Sequence, residues 1–368
     1  MTRGDEIFVT GMLRSGTTLL EKLLAQQERI SMLSQPFPLL LVEAKRAFLR
    51  QLGHPDDPYP LGHLFRETRY TRADLARFLS HWRAPREELE ALFSRMSHYS
   101  GQGTRFTREQ LEPALAAAAE AGDFAGVVST LLHRLALRPE ARWFGSKEIT
   151  CEELVPLFLQ QGFRCVIIVR DPRDVVTSLN HGSGRTIAGD VRPTLFNVRA
   201  WRKSVAVARE CEQSERFFCC RYEDLVANPD QTMRELAAKL ALDLGTFDFG
   251  KLRDESGEAW SGNSSHRAHD GVSASSVAMF RALLPPPVSR FVEAACLPEL
   301  QSLGYETTLT HAEATRALHE FREPYTITRA GVESDMATPE NARLEEERLA
   351  ASMPNTASAM NCGNSGTR

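Results

Sequence analysis

The chain has 368 residues, a formal net charge of -4 and 25% charged residues. A chain of this length usually folds into about two domains, and its charge balance argues against the strongly basic footprint of a protein that binds nucleic acid. Arginine supplies most of the positive charge, because lysine occurs only at Lys22, Lys45, Lys147, Lys203, Lys239 and Lys251.

No segment has the pattern of a secretion signal or a membrane span. The start, MTRGDEIFVTG, lacks the long apolar segment of a signal peptide. The apolar stretch PFPLLLVEA is shorter than the about 20 residues that a membrane helix needs, and Glu43 interrupts it. The seven cysteines form no C-x-x-C pair, which argues against a disulfide framework or a zinc site. We expect a cytoplasmic protein.

Strands and helices alternate in two parts of the chain. EIFVTG predicts a buried strand, and TTLLEKLLAQQ, which follows a glycine-rich turn, predicts a helix. Further strands are predicted at ARWFGSKE, FRCVIIVR and RFFCCR, separated by helical stretches at 151–161, 172–181 and 195–214. This alternation predicts an α/β fold with a parallel sheet flanked by helices. Its core would comprise residues 1–30 and 140–306.

The rest of the chain divides into a helical region and a tail. Residues 31–139 are helical and irregular, with helices predicted in REELEALFSRMSHYS and EPALAAAAEAG, and we interpret them as a helical cap inserted into the α/β domain. Residues 307–368 are polar and contain few large apolar side chains, which predicts a largely disordered tail.

The turn after the first strand, GMLRSGTTLL, is close to a phosphate-binding loop. In the pattern G-x-x-x-x-G-K-[ST], backbone amides surround phosphate oxygens, the lysine neutralises charge and the hydroxyl binds magnesium. Gly11, Gly16 and Thr18 fit this pattern, but Thr17 replaces the lysine, and Arg14 lies inside the loop. The start of the following helix still favours an anion. A sulfuryl group carries less charge than a phosphoryl group, so its transfer needs no metal. The alternative interpretation of this segment is a plain glycine turn that packs a strand onto a helix.

A second candidate element is CVIIVRDPRDVVTSL. Arg170 falls at the carboxyl end of a strand, where open parallel sheets bind their ligands. Asp171 and Pro172 begin a helix that carries Ser178, and the guanidinium and hydroxyl groups together could bind one further phosphate. Asp171, Arg173 and Asp174 are expected to cap and solvate this helix.

The two elements, in this order, resemble the motifs of sulfotransferases that use 3′-phosphoadenosine 5′-phosphosulfate (PAPS). GSKEITCEELVPLFLQQGFRCVIIVRDPRD is similar to the stretch before the second motif in the bacterial and tyrosylprotein branches, and the resemblance covers 1–30 and 140–306. It implies a P-loop NTPase-like fold, PAPS as co-substrate and no metal. The residues implied at the 5′-phosphosulfate are Arg14, Ser15, Gly16, Thr17 and Thr18; those at the 3′-phosphate are Arg170 and Ser178.

The resemblance also implies roles for residues outside the two motifs. Lys147 matches a lysine near the bridging oxygen, and with Arg14 it would be catalytic. The loop WSGNSSHR is similar to one that closes over the nucleotide, so it implies Asn263, Ser264 and Ser265 as donors, and Tyr222 would lie near the adenosine. For Lys147 the alternative is a solvated lysine. For residues 263–265 it is an ordinary surface loop, and for Tyr222 it is a structural tyrosine.

The general base is not identified by the sequence. Many relatives place a glutamate shortly after the loop helix, whereas this chain has ISMLSQPFPLL with Gln35, and an amide cannot take a proton. The candidates are therefore Glu43, His54, His63 and His98.

The prediction is a single catalytic domain over 1–306 that transfers a sulfuryl group from PAPS to a hydroxyl or amine of an acceptor bound at the cap. A carbohydrate, lipid, peptide or secondary metabolite would each be possible as acceptor. A small-molecule kinase of the same fold and a non-catalytic nucleotide-binding protein are the alternatives, and the pattern says nothing about oligomeric state.

Overall fold

The structure is a computed structural model that describes residues 4–53, 70–99, 103–180, 191–253, 259–260 and 271–352. Its strands are β1 (Glu6–Thr10), β2 (Ile30–Ser34), β3 (Trp143–Lys147), β4 (Arg164–Val169) and β5 (Phe217–Arg221). Within these residues the strands form one five-stranded parallel sheet in the order β2-β3-β1-β4-β5. The prediction of an α/β fold with a parallel sheet is confirmed.

Helices lie between and after the strands. They are α1 (Thr17–Ala25), α2 (Pro38–Gln51), α3 (Arg72–Leu79), α4 (Arg86–Met96), α5 (Arg108–Ala119), α6 (Phe124–Arg134), α7 (Val155–Gln160), α8 (Pro172–Asn180), α9 (Thr194–Cys211), α10 (Tyr222–Ala227), α11 (Pro229–Leu240), α12 (Phe280–Leu283), α13 (Pro286–Ala295), α14 (Leu297–Ser302), α15 (His311–Glu320) and α16 (Pro339–Ala351). Short 3-10 helices occupy Glu152–Leu154 and Glu333–Asp335. Within the described residues, no helix is long and apolar enough to cross a membrane.

The sheet is buried on both faces, as the apolar composition of its strands requires. Along β1, Phe8 joins the core cluster on one face, where its ring lies 4.7 Å from that of Phe158. Its neighbours Ile7 and Val9 join the cluster on the other face together with Leu20 of α1. Alternation of side chains along a strand explains this division.

The strand register brings three candidate segments to one edge of the sheet. Val9 of β1 lies opposite Lys147 of β3, and Thr10 lies opposite Ile167 of β4. The loop that follows β1, the end of β3 and Arg170 after β4 are therefore neighbours. The carboxyl edge of a parallel sheet is where such folds bind ligands.

The predicted start of the helical cap, at residue 31, is wrong. Residues 30–34 form the edge strand β2, which pairs with β3 over its whole length. Ser31 and Ser34 interrupt the apolar pattern of ISMLS, so the segment lacks the signal of a buried strand.

The helices of the predicted cap lie in the connection between β2 and β3. The segment α2 to α6 shares one apolar core with the sheet: Phe124 of α6 stacks on Phe158 of α7 at 6.2 Å, and Phe93 of α4 lies 6.1 Å from Phe37.

The expectation of a disordered tail is wrong for residues 307–352, while residues 353–368 lie outside the described part. α15 and α16 pack on α9 and α13, anchored by apolar side chains such as Leu318 and Leu349. Arg199 of α9 forms an ion pair of 2.8 Å with Asp335, and Arg202 forms one of 2.5 Å with Glu345. These ion pairs help to order the segment. The prediction of disorder counted only apolar residues and therefore did not detect them.

Candidate functional site

The loop after β1 has a left-handed backbone conformation at two positions. Arg14 has φ 72° and Gly16 has φ 99°, both in the left-handed region. Glycine is required at position 16 because a Cβ atom would lie 2.4 Å from the Tyr222 ring. At Gly11 a Cβ atom would lie 2.4 Å from the carbonyl oxygen of Ile168. The two glycines of the predicted motif therefore allow the loop to pass close to β4 and Tyr222.

The start of α1 offers donors for an anion. Gly16 is the N-cap residue and supplies no side-chain cap, so the first-turn N–H groups of Thr17 and Thr18 have no partner within the helix. The Ser15 hydroxyl is buried without a hydrogen-bond partner among the described residues. A buried hydroxyl beside a helix N-terminus fits a negatively charged group.

Arg170 follows β4 and reaches back to the loop. Its Nη1 donates to the carbonyl oxygen of Arg14 at 3.3 Å, and its Nη2 donates to the carbonyl oxygen of Ser276. The guanidinium lies 4.6 Å above the Tyr222 ring and 3.8 Å from Asp174. Its Nε is buried and has no hydrogen-bond partner within the described residues.

The two motifs of the sequence are in direct contact. Arg14 donates through Nε to the Ser178 hydroxyl of α8 at 3.1 Å, although the residues are 164 positions apart. Burial and the neighbouring positive charge of Arg170 lower the pKa of Arg14 to about 10. Two guanidinium groups brought together in a buried place repel each other, and an anion bound between them would relieve that repulsion.

The expected solvation of Arg173 and Asp174 is wrong, because both side chains are buried. Arg173 forms an ion pair of 2.7 Å with Asp171. Asp174 accepts from the backbone N–H groups of Ala278 and Phe280 at 2.7 and 2.9 Å. Burial raises its pKa. These residues hold α8 and the segment around Ser276 against the rest of the fold.

Tyr222 begins α10 and lies beneath the loop. Its hydroxyl is 2.5 Å from the Ser276 hydroxyl, and its ring supports both Gly16 and the Arg170 guanidinium. The structure therefore gives Tyr222 a packing role at the site, and its predicted proximity to adenosine remains a prediction.

Lys147 ends β3 at the same edge of the sheet. The side chain is buried, with 2% of the residue exposed, and its Nζ donates to Gln35 Oε1 at 2.9 Å. The alternative of a solvated lysine is excluded by this burial. The ammonium is instead held beside the loop that connects β2 with α2.

Glu148 is a buried acid that the sequence did not single out. Its carboxylate accepts from the Phe37 N–H group at 2.8 Å, at the start of α2. Burial is the main cause that raises its pKa, to about 8, and the nearby Lys147 charge opposes the increase. Only the burial distinguishes it from an ordinary glutamate after a strand.

Two of the predicted candidates for the general base lie within the described residues and have no recorded contact with this cluster there. Glu43, on α2, forms an ion pair of 2.9 Å with Arg46, and His98 is exposed after α4. The remaining candidates fall outside the described residues: His54, His63, Asn263, Ser264 and Ser265. Within the described residues, no three or more potential metal ligands lie together.

A parallel α/β sheet with a glycine-rich loop at the end of its central strand defines a P-loop type of nucleotide-binding protein. Residues 6–246 match the model of the sulfotransferase family. The chain therefore belongs to the sulfotransferase family. A comparison with curated proteins gave no match.

Solved structures that resemble the chain include other sulfotransferases. A sulfotransferase domain from the curacin biosynthetic pathway shows 17% identity, covers 84% of this chain and 100% of its own, and has a TM-score of 0.47. A sulfotransferase from Mycobacterium avium shows 17% identity, covers 66% of this chain and 65% of its own, and has a TM-score of 0.32. Retinol dehydratase in a complex with retinol and PAP shows 13% identity, covers 84% of each chain, and has a TM-score of 0.37. The family assignment rests on the match to the family model.

Proposed function

We propose that the protein transfers the sulfuryl group of PAPS to a hydroxyl or amine of an acceptor. The observation that carries this proposal is the contact between the two motifs. Arg14 of the loop and Ser178 of α8 are 3.1 Å apart, and Arg170 donates to the loop backbone. A nucleotide with phosphate groups at both its 5′ and 3′ positions would use donors from both motifs.

Each end of the nucleotide has its own donors. The loop and the first turn of α1 would hold the 5′-phosphosulfate through Arg14, Ser15, Gly16, Thr17 and Thr18. On the other side of the contact, Arg170 and Ser178 would hold the 3′-phosphate. Within the described residues, the buried atoms Ser15 Oγ and Arg170 Nε have no hydrogen-bond partner, and this supports the division because buried donors usually have partners in the bound state.

Lys147 would assist the chemical step. In that step the acceptor atom forms a bond to sulfur, and the bond from sulfur to the bridging phosphate oxygen breaks. Its electron pair stays on the departing phosphate, and the acceptor proton leaves to a base. Donors directed at the bridging oxygen act mainly in the transition state. A buried ammonium at the carboxyl end of β3 is suited to that role, and Arg14 would share it.

The acceptor would bind against the helices that connect β2 with β3, since connections above the carboxyl edge of a sheet commonly form such pockets. Glu43, His54, His63 and His98 remain the predicted candidates for the base, and Asn263, Ser264, Ser265 and Tyr222 the further nucleotide contacts. The cysteines of the described residues are all unpaired, which supports a reducing compartment such as the cytoplasm.

The test measures transfer of labelled sulfuryl from PAPS to a panel of phenols, sugars and amines, with and without a chelator. We expect transfer to at least one acceptor class, unchanged by the chelator, because Thr17 replaces the lysine of the magnesium-dependent loop. Turnover of ATP that depends on Mg²⁺, without any transfer from PAPS, would instead identify a kinase.

A further inference from the structure

The backbone of Gln35 is held in a conformation that non-glycine residues avoid. Its φ angle is 44°, in the left-handed region. Residues other than glycine are strained in this conformation, and such strain persists only where the surrounding structure enforces it. Gln35 directly follows β2, at the edge of the sheet that carries the nucleotide loop.

Two neighbouring segments enforce this conformation. On one side, the Gln35 N–H group donates to the carbonyl oxygen of Lys147 at 2.7 Å. On the other side, the N–H group of Gly103 donates to the carbonyl oxygen of Gln35 at 3.3 Å. The N–H group of Thr104 donates to the carbonyl oxygen of Ser34 at 2.7 Å. Gly103 passes so close that a Cβ atom would lie 2.3 Å from the Ser34 carbonyl oxygen. The backbone of Gln35 is thus clamped from both sides.

The strained backbone directs the side chain at Lys147. Gln35 Oε1 accepts from Lys147 Nζ at 2.9 Å, so the same two residues are joined once through the backbone and once through their side chains. Two residues further on, Phe37 N–H donates to the buried Glu148 carboxylate. The segment 35–37 is therefore fixed to both residues at the end of β3.

An amide is suited to hold an ammonium without cancelling its charge. The amide oxygen accepts a hydrogen bond but carries no net charge. A carboxylate at the same place would form an ion pair and draw the ammonium towards itself. The Gln35 amide therefore orients the Lys147 ammonium without itself neutralising it.

We infer that Gln35 is a positioning residue, which uses its clamped backbone and neutral amide to direct Lys147 at the oxygen that leaves with the nucleotide. This inference rests on the proposed function, which assigns Lys147 to that oxygen.

The test compares two substitutions that separate the side-chain contact from the backbone strain. Gln35→Met keeps the length of the side chain and the strain but removes the amide. Gln35→Gly removes the amide and also relieves the strain. Ala241→Gly is the matched control, because Ala241 has φ 50° at the end of α11, outside the site. The assay is single-turnover release of inorganic sulfate from PAPS with water as acceptor, beside calorimetric affinity for adenosine 3′,5′-bisphosphate (PAP) and thermal unfolding.

We expect both Gln35 variants to release sulfate about tenfold more slowly, the effect of losing one hydrogen bond to a charged group. Their affinity for PAP should stay within about twofold of wild type, because the amide acts on the transition state. Gln35→Gly should unfold at no lower temperature than wild type, and Ala241→Gly should leave the rate unchanged. Gln35→Glu should also be slower than wild type at neutral pH, since its carboxylate competes for the ammonium.

Normal rates in Gln35→Met and Gln35→Gly, or a faster Gln35→Glu enzyme, would overturn the inference. A loss of rate that accompanies equal losses of PAP affinity and thermal stability would also overturn it, because a purely structural role predicts that pattern. Wild-type protein that neither binds PAP nor releases sulfate would instead overturn the proposed function, and this inference with it.

Discussion

Replacing Arg170 with alanine should weaken binding of PAP far more than binding of adenosine 5′-phosphate. Arg170 is only 4% exposed, and its Nε is buried without a hydrogen-bond partner among the described residues. A hydrogen bond that involves a charged group contributes about 1.5–3 kcal/mol, and each 1.4 kcal/mol corresponds to about a factor of ten. The affinity for PAP should therefore fall about tenfold to a hundredfold.

The structure also predicts a smaller effect on the nucleotide without a 3′-phosphate. Arg170 donates to the carbonyl oxygens of Arg14 and Ser276, so its removal loosens the loop on the 5′ side. This contribution should weaken both ligands by the same factor. The ratio of the two affinities cancels it and isolates the contact with the 3′-phosphate.

Isothermal titration calorimetry with both nucleotides measures this ratio for the wild type, for Arg170→Ala and for Arg29→Ala. Arg29 is the control because its exposed side chain pairs with Asp243 at the opposite edge of the sheet. Equal weakening of both nucleotides by Arg170→Ala would refute the assignment of Arg170 to the 3′-phosphate.

Three other substitutions test the site and its support. Lys147→Ala should reduce single-turnover sulfate release by about a hundredfold to a thousandfold, with a smaller change in PAP affinity; near-normal release would contradict the role. Burial raises the pKa of Glu148 from 4.5 to about 8, so the stability of the wild type should fall as the pH rises through this range. In urea unfolding at several pH values, Glu148→Gln should lack the part of this fall that Glu148 causes. Glu345→Ala should lower the free energy of unfolding by about 3–5 kcal/mol, because it deprives buried Arg199 and Arg202 of a shared carboxylate; an unchanged urea midpoint would contradict this.

The sequence predicts the parts of the site that local geometry determines. The glycines at positions 11 and 16 are needed where backbone or ring atoms come too close for a side chain, so their spacing indicates the turn. Strand ends are equally local, and a parallel sheet brings them to one edge. This is why the loop with Arg14 and the strand end with Arg170 could be predicted from the pattern, whereas Lys147 was assigned through the family resemblance.

The sequence does not predict features that depend on contacts between distant segments. In the sequence Glu345 and Arg199 look like solvated charges, but α16 packs on α9 and both are buried. Glu148 likewise looks like an ordinary glutamate in the sequence, and its burial at the start of α2 depends on a distant segment. β2 was missed for another reason, because an edge strand of five residues with two serines has too little apolar periodicity to be distinguished.

The joined motifs are proposed to bind a 3′,5′-bisphosphorylated nucleotide in place of a metal-bound triphosphate. The most direct test is calorimetric titration of the wild-type protein with PAP and, separately, with ATP and Mg²⁺. We expect PAP to bind without metal and at least tenfold more tightly than ATP with Mg²⁺, the minimum expected from one charge-assisted hydrogen bond to the 3′-phosphate. Tighter binding of ATP with Mg²⁺, or no binding of PAP, would contradict it.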